Sequence, residues 1–455
     1  MPAGVAAGHP ATTEVGLRVL AAGGSAADAA VAAMLAGCAA ESVLTGLAGG
    51  GFATYFDAST GEVTCLDFFC SVPGLGSTTP AAPMVPIRIS FGGVPQRYEI
   101  GASSVGVPGI PAGAGEIHRR WGRLPWQRIV APAQNLARSG VLLPGAHART
   151  LVSLAPAMLP GLGAAVYAPD GRLLEGGELL HHPGLDTTFG ILAEEGPAAF
   201  YTGRIGAAMV SEVAAGGGVL SPLDLSSYRV MQAPVSSASF GPCRVLARAD
   251  LNETIRTIAA LPPLFSPLDL ASALLAYGSQ RLGDTTNISV VDSAGDACVI
   301  TMTLGIGAGV WLPGLGVHLN SMLGEGELIR PGTLPGERMA SCMCPAVVLD
   351  PAGALVMAIG SAGATRIRTA IIQTLTNVLV HGDDMTTAIR RPRFHPVSVD
   401  GSRLVHLEPG CDPSHFTGFK VQHWDRLDHY FGGVSAVGLA GAAGDPRRGG
   451  VGRTL

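Results

Sequence analysis

Charge is scarce in this sequence: Asp, Glu, Lys and Arg make up 14% of 455 residues, aromatic residues 5%, and the net charge is −5. The 29 Lys and Arg residues are scattered rather than clustered, so the electrostatic footprint of a nucleic-acid binder is missing. A small-molecule substrate fits better. Long apolar runs are missing too. Ala26–Ala40 carries Asp28 and falls short of the roughly 20 residues that span a bilayer; it reads as a buried helix, and no membrane association is expected. Residues 1–10 hold neither a basic region nor an apolar stretch of export-signal length, and a cytoplasmic location is the expectation. Eight cysteines (Cys38, Cys65, Cys70, Cys243, Cys298, Cys342, Cys344 and Cys411) lack the paired spacing of a zinc ribbon. They read as reduced core or pocket residues, with no metal and no cofactor expected.

What is abundant is small and apolar. Hydrophobic residues reach 47%, and the 64 glycines are about twice the ordinary share, which suits close backbone packing in one large layered α/β unit. A helix over residues 13–22 ends at Gly23-Gly24, and Ser25 caps a second one reaching Ala40. Gly49-Gly50-Gly51 precedes a strand over 52–56, a turn over 57–61 and a hairpin partner over 62–66. Residues 101–150 read as a helical layer, 216–228 as a loop entering a short helix, and 247–283 as a loop-broken helical connector. From Thr285 the pattern turns to strands at 285–292, 296–303 and 354–359, followed by a helix over 365–380.

The hairpin at 285–303 carries the chemistry. If Ser293-Ala294-Gly295 is its three-residue loop, paired residues sum to 588 and Thr285 faces Thr303. Directly opposed hydroxyls on one sheet face lie within hydrogen-bonding reach. Asn287, Ser289 and Thr301 share that polar face, with Asn287 expected to contact substrate, while Ile288, Val290, Cys298, Ile300 and Met302 make the other face a core surface. Taken alone, this pattern equally fits threonine as an ordinary strand former on a solvated face.

The segment Asp284-Thr285-Thr286-Asn287, with Gly295 in the turn, resembles the cleavage-site strand of the γ-glutamyltransferase family, which normally reads Thr-Thr-His there. The likeness extends through His9-Pro10, Gly24-Ser25-Ala26-Ala27-Asp28, the turn from Gly49 to Phe52, Val107-Pro108-Gly109, Asp224-Leu225-Ser226-Ser227-Tyr228 and Arg391-Pro392-Arg393-Phe394. It implies an N-terminal-nucleophile hydrolase: a four-layer αββα sandwich made as a precursor that cuts itself between Asp284 and Thr285. Residues 1–284 would form a large piece and 285–455 a small one, associated after the cut as one intertwined domain; a homodimer stays open. Thr285 would be the nucleophile, with its freed α-amine, of pKa near about 8, as base, and Thr303 the assisting hydroxyl.

Gly360-Ser361-Ala362-Gly363-Ala364-Thr365-Arg366 follows an apolar strand and opens a helix, so the N–H groups of Gly363 and Ala364 could stabilise an oxyanion; an ordinary strand-to-helix turn is the alternative. The family has paired glycines there, and Ala364 is expected to be a mild change. On the substrate side, Ser341 and Cys342 resemble a double-serine segment that holds an α-carboxylate, with the second serine replaced. Cys342 and Cys344 have no second ligand cluster to make a metal site. Phe69 stands where the family has the arginine that clamps the glutamyl carboxylate, and a ring cannot replace a guanidinium fork. Gly324 occupies the place of an acid that pairs the substrate amine, with Glu325 one residue on. Phe68 and Phe69 are expected to form an aromatic pocket wall.

These departures make glutathione a poor substrate. The expected activity is acyl transfer or hydrolysis at Thr285 on another amide. The alternatives are a repurposed, uncleaved relative that uses the pocket for a non-hydrolytic tailoring step on a bulky secondary metabolite, or a binding protein without catalysis.

Overall fold

Ser25 starts the central helix for a local reason. Its hydroxyl accepts from the Asp28 N–H at 3.1 Å while the Asp28 carboxylate accepts from the Ser25 N–H at 3.0 Å, a reciprocal cap that satisfies two end donors. Helix α1 (Pro10–Ala21) precedes it, and α2 (Ala26–Ala40) is buried along its whole length because its side chains are mostly methyl groups. The computed structural model of the chain describes residues 1–91, 94–249, 253–277, 285–399 and 401–455.

The strands of two sheets follow in chain order. Before the hairpin come β1 (Gly4–Ala7), β2 (Gly50–Phe56), β3 (Val63–Phe68), β4 (Met231–Ala233), β5 (Val235–Phe240) and β6 (Cys243–Arg248). After it begins come β7 (Thr286–Val291), β8 (Ala297–Thr303), β9 (Ala346–Leu349), β10 (Leu355–Ala362), β11 (Gly433–Gly438), β12 (Gly441–Gly444) and β13 (Val451–Thr454). One sheet runs β13-β1-β7-β8-β2-β3-β4 and the other β12-β11-β10-β9-β6-β5. Helices α3 (Ile110–Trp121) and α4 (Trp126–Ser139) join α2 over the first sheet. Helices α5 (Glu253–Ala260), α6 (Pro267–Ala276) and α7 (Arg366–Leu379) cover the second. Val291, Ala297 and Val299 meet Val347, Leu355 and Val437 between the sheets, which completes four layers, α, β, β and α.

The hairpin has the expected register: Thr286 pairs with Met302 and Asn287 with Thr301. Its polar face differs from the expectation of a solvated one. The second sheet covers it, Ser289 donates to the Ser435 carbonyl at 2.8 Å, and both strands are buried throughout. The triple glycine lets β2 lie against the end of β8. A Cβ at Gly49 would fall 2.1 Å from the Thr303 carbonyl oxygen, and one at Gly51 would fall 2.5 Å from that of Thr301.

Several elements were not expected, among them β1, which flanks the hairpin, β5 with β6 at the far edge of the second sheet, and Val85–Phe91, which pairs with Val94–Ile100 as a separate hairpin. The connector keeps its helical character in α5 and α6. Asp284 and the rest of 278–284 lie outside the described residues. Among the described residues no helix is long and apolar enough to cross a membrane, no group of three His, Cys, Asp or Glu could hold a metal ion, and the eight cysteines are free thiols.

Candidate active site

Thr285 is the residue before β7, at the open end of the hairpin. Its hydroxyl oxygen accepts the Gly363 N–H at 2.8 Å, and its carbonyl accepts from Arg448 Nη1 at 3.4 Å. Thr303, the last residue of β8, accepts the Gly305 N–H on its hydroxyl at 2.9 Å. Both threonines are buried, and continuing the hairpin register by one pair sets them opposite each other.

Gly363 and Ala364 form the turn from β10 into α7. Gly363 has φ +110°, and Ala364, at φ +51°, is the one non-glycine with positive φ among the described residues. That conformation costs an alanine about 1–2 kcal/mol, so replacing a glycine here is less mild than the sequence implied. Strain of this kind persists where the surroundings fix it. A Cβ at Gly363 would approach Gly432 Cα at 3.0 Å and Arg448 Nη2 at 3.2 Å, so this turn, the 432–433 backbone and Arg448 close on one another around Thr285.

Thr286 points to the opposite face, into the helical layer. Its hydroxyl donates to the Glu41 carboxylate, which also accepts from the Thr12 hydroxyl at 2.7 Å. Glu41 caps α2 and is fully buried. Burial pushes its carboxyl up to about 7, against the opposing pull of the Thr286 and Thr12 hydroxyls. On the inter-sheet face, the Asn287 amide bridges the Thr301 hydroxyl at 2.6 Å and the Ser289 hydroxyl at 3.2 Å. Gly360 leaves room for it, since a Cβ there would lie 2.0 Å from the side-chain amide.

The residues that the sequence marked as candidates for substrate contact begin with Phe69, just past the end of β3. Phe69 is buried and stacks on Phe52 at 5.3 Å, with the Arg248 guanidinium carbon 3.7 Å over the far ring. Tyr228 fixes the Phe69 carbonyl through a 2.8 Å hydrogen bond. Phe68 does not join this stack. It faces the helical core, where a Cβ at Gly113 of α3 would strike its ring at 2.3 Å, because successive residues of a strand point to opposite faces. Phe52, two residues beyond the Gly50 that pairs with Thr303, takes its place as the second aromatic. Ser341 is buried and accepts the Met343 N–H at 3.2 Å; Cys342 is half-buried and Cys344 buried beside the second-sheet core. The Glu325 carboxylate reaches the Thr303 side of the site: a Cβ at Gly305, whose N–H serves Thr303, would lie 2.9 Å from Glu325 Oε1. Gly324 carries no side chain for a steric reason, since a Cβ there would sit 1.6 Å from the Glu99 carbonyl oxygen.

Four residues around the site, Glu41, Phe52, Arg248 and Arg448, were not read as such from the sequence. Glu41 had one signal, an acid closing a helix that is apolar after Asp28. Arg448 had another, in the arginine pair that follows Asp445-Pro446.

Comparison with known proteins gives the family. The family model described as "Gamma-glutamyltranspeptidase" matches residues 12–260 and 248–454. The acylase ACY 1 proenzyme of Pseudomonas sp. (strain SE83) is 27% identical over 458 residues, covering 86% of this chain and 81% of that one. Glutathione hydrolase 3 of Arabidopsis thaliana is 26% identical, covering 86% and 72%. The crystal structure of cephalosporin acylase from Bacillus halodurans superposes with a TM-score of 0.82 at 19% identity, covering 100% of this chain and 96% of that one, which is a likeness of fold. The chain therefore belongs to the gamma-glutamyltranspeptidase family and has its α/β sandwich fold.

Proposed function

We propose that the protein is a self-processing amidohydrolase or acyltransferase that cuts itself between Asp284 and Thr285 and then uses Thr285 as nucleophile on an amide other than a γ-glutamyl peptide. The observation that carries this reading is the Gly363 N–H, 2.8 Å from the Thr285 hydroxyl oxygen. A backbone donor fixed on that oxygen stabilises negative charge there as the proton leaves. In the precursor, the hydroxyl oxygen attacks the carbonyl carbon of residue 284. The C–N bond breaks, its nitrogen takes the hydroxyl proton, and an ester remains. Water hydrolyses that ester, leaving a carboxylate at 284 and a free amine at 285. In turnover the amine takes the hydroxyl proton, the oxygen attacks the substrate amide, and the departing amine receives that proton. Water or a second amine then releases the acyl group.

The word proenzyme in the names of relatives supports a processing step, and the strand order supports lasting association of the two pieces, with β7 and β8 held between β1 and β2. The Phe52–Phe69 stack, in place of a carboxylate clamp, supports an apolar or aromatic acyl group, and the acylase among the relatives supports acyl chemistry beyond glutathione. The same stack favours a second reading, in which the two threonines act as acid and base in a non-hydrolytic tailoring step on a bulky aromatic metabolite.

Intact-mass measurement tests the first reading. It expects two fragments meeting between residues 284 and 285, and a single species for Thr285→Ala. A wild-type chain that stays at full-length mass would sink it. A panel of γ-glutamyl, glutaryl and aromatic amides then tests the substrate class, and efficient turnover of γ-glutamyl anilides would overturn the assignment based on Phe69.

A further inference from the structure

Thr285 and Thr286 are adjacent on one strand, and their side chains leave it on opposite faces. What holds the Thr286 side also fixes the backbone on which Thr285 turns. On that side the partner is Glu41, sealed at the C-terminal end of α2. Both carboxylate oxygens are used: Oε1 by the Thr12 hydroxyl of α1 and Oε2 by the Thr286 hydroxyl of β7. The contact is closely packed. A Cβ at Gly8 would lie 2.3 Å from Glu41 Oε2 and 2.7 Å from Thr286 Oγ1, and one at Gly37 would meet Met302 at 3.0 Å and Glu41 Oε1 at 3.5 Å.

Resting on the reading of Thr285 given above, we infer that Glu41 is a positioning residue for self-cleavage: its ionised carboxylate holds the Thr286 hydroxyl and so aims Thr285, and proton uptake by Glu41 loosens that hold. Both hydroxyls donate to it, and this fits an acceptor-only carboxylate. A protonated carboxyl keeps one oxygen as acceptor and turns the other into a donor, so one of the two hydroxyls must rotate and accept, and the pair of bonds that holds the ionised form is broken up. The groups facing it are Thr12 from α1, Cys38 and Gly37 from α2, Gly8 from the turn after β1, Thr286 from β7 and Met302 from β8. Cys38 is the titratable one, and burial together with the Glu41 charge pushes its thiol far up, so it stays neutral. Because burial brings Glu41 itself to about 7, its charge changes under ordinary conditions.

Self-cleavage is the step to measure, because the Thr285 nitrogen is still an amide there and adds no titration of its own. Precursor made by cell-free translation is followed on gels from pH 6 to 8. The wild-type rate is expected to be about tenfold lower at pH 6 than at pH 8, the change that one ionisation near 7 produces. Glu41→Gln keeps the shape and one carbonyl acceptor but cannot ionise, so its cut should be slow and flat across this range. Thr286→Val leaves Glu41 without one donor to its charged form, so its cut should be slow and its acid limb should move to higher pH. The double variant should lose nothing beyond the slower single one. An E41Q precursor with the wild-type limb, at any absolute rate, would overturn the inference. If E41Q yields no folded protein, a T286V precursor with the wild-type rate and limb would do the same. Thr285→Ala in the same assay reports separately: cleavage of that variant would refute the nucleophile reading, whatever Glu41 does.

Discussion

Gly324 lies against Glu99 so tightly that a Cβ on the first would overlap the carbonyl oxygen of the second, at 1.6 Å. The hairpin Val85–Phe91 and Val94–Ile100 brings that carbonyl in, so the position cannot bear the acid that the family resemblance would put there. Gly324→Asp is expected to lose about 3 kcal/mol or more through overpacking and to gain no γ-glutamyl anilide turnover. Denaturant midpoints and an anilide assay check both halves.

Restoring the missing clamp by Phe69→Arg is expected to fail for an electrostatic reason. The new guanidinium would enter a buried stack whose other end already carries Arg248 over Phe52, placing two cations in a poorly hydrated space. Lower thermal stability without new anilide turnover is the expected outcome, and adding Arg248→Met should recover part of the loss. Melting curves of the wild type and the two variants decide this.

Thr303 holds its hydroxyl on the Gly305 N–H at 2.9 Å, at the end of the hairpin shared with Thr285. Thr303→Ser keeps that oxygen and should still process. Thr303→Val keeps the volume without it, and cleavage should slow by about 10²-fold or more, the range for loss of a positioned proton-transfer group. Time courses of fragment appearance measure the difference.

Acid should unfold this protein through its buried imidazoles. His147, His182 and His318 are each pushed down to about 3, mainly by burial. The folded form holds them neutral, whereas the unfolded chain takes up protons below about 6.5. Stability present above 6.5 is therefore lost as pH falls towards 3, with each ring adding a slope of up to about 1.4 kcal/mol per pH unit. Chemical denaturation at pH 7, 6 and 5 should show the fall. His9, His395 and His406 are held down in the same direction, so His182→Gln should make the slope shallower by one ring's share of six.

The sequence made the local devices legible. Ser25 with Asp28 announced α2, Gly295 and the alternating β7–β8 pattern fixed the hairpin register, and the apolar run ending at Gly360 announced the turn into α7. Less visible was what lies across the sheets. β1 is only Gly4–Ala7 and has no periodicity to find, yet it pairs directly with β7. The polar face of the hairpin looked solvated because the strand that covers it, β11, comes more than a hundred residues later. Phe68 and Phe69 looked alike in sequence, and only the end of β3 separates them into two cores. Glu41 and Arg448 reach Thr285 and Thr286 through tertiary packing, which residue spacing does not encode.

The last and first strands of the chain are hydrogen-bonded partners: β13 pairs with β1, and the Leu455 N–H reaches the Ala3 carbonyl at 2.9 Å. A few linking residues would join these ends without moving either strand, allowing a circularly permuted gene that opens at Thr285 and closes with residue 284. After removal of its initiator methionine, that protein would carry a terminal threonine amine from birth. Under the proposed reading, maturation and turnover could then be studied apart.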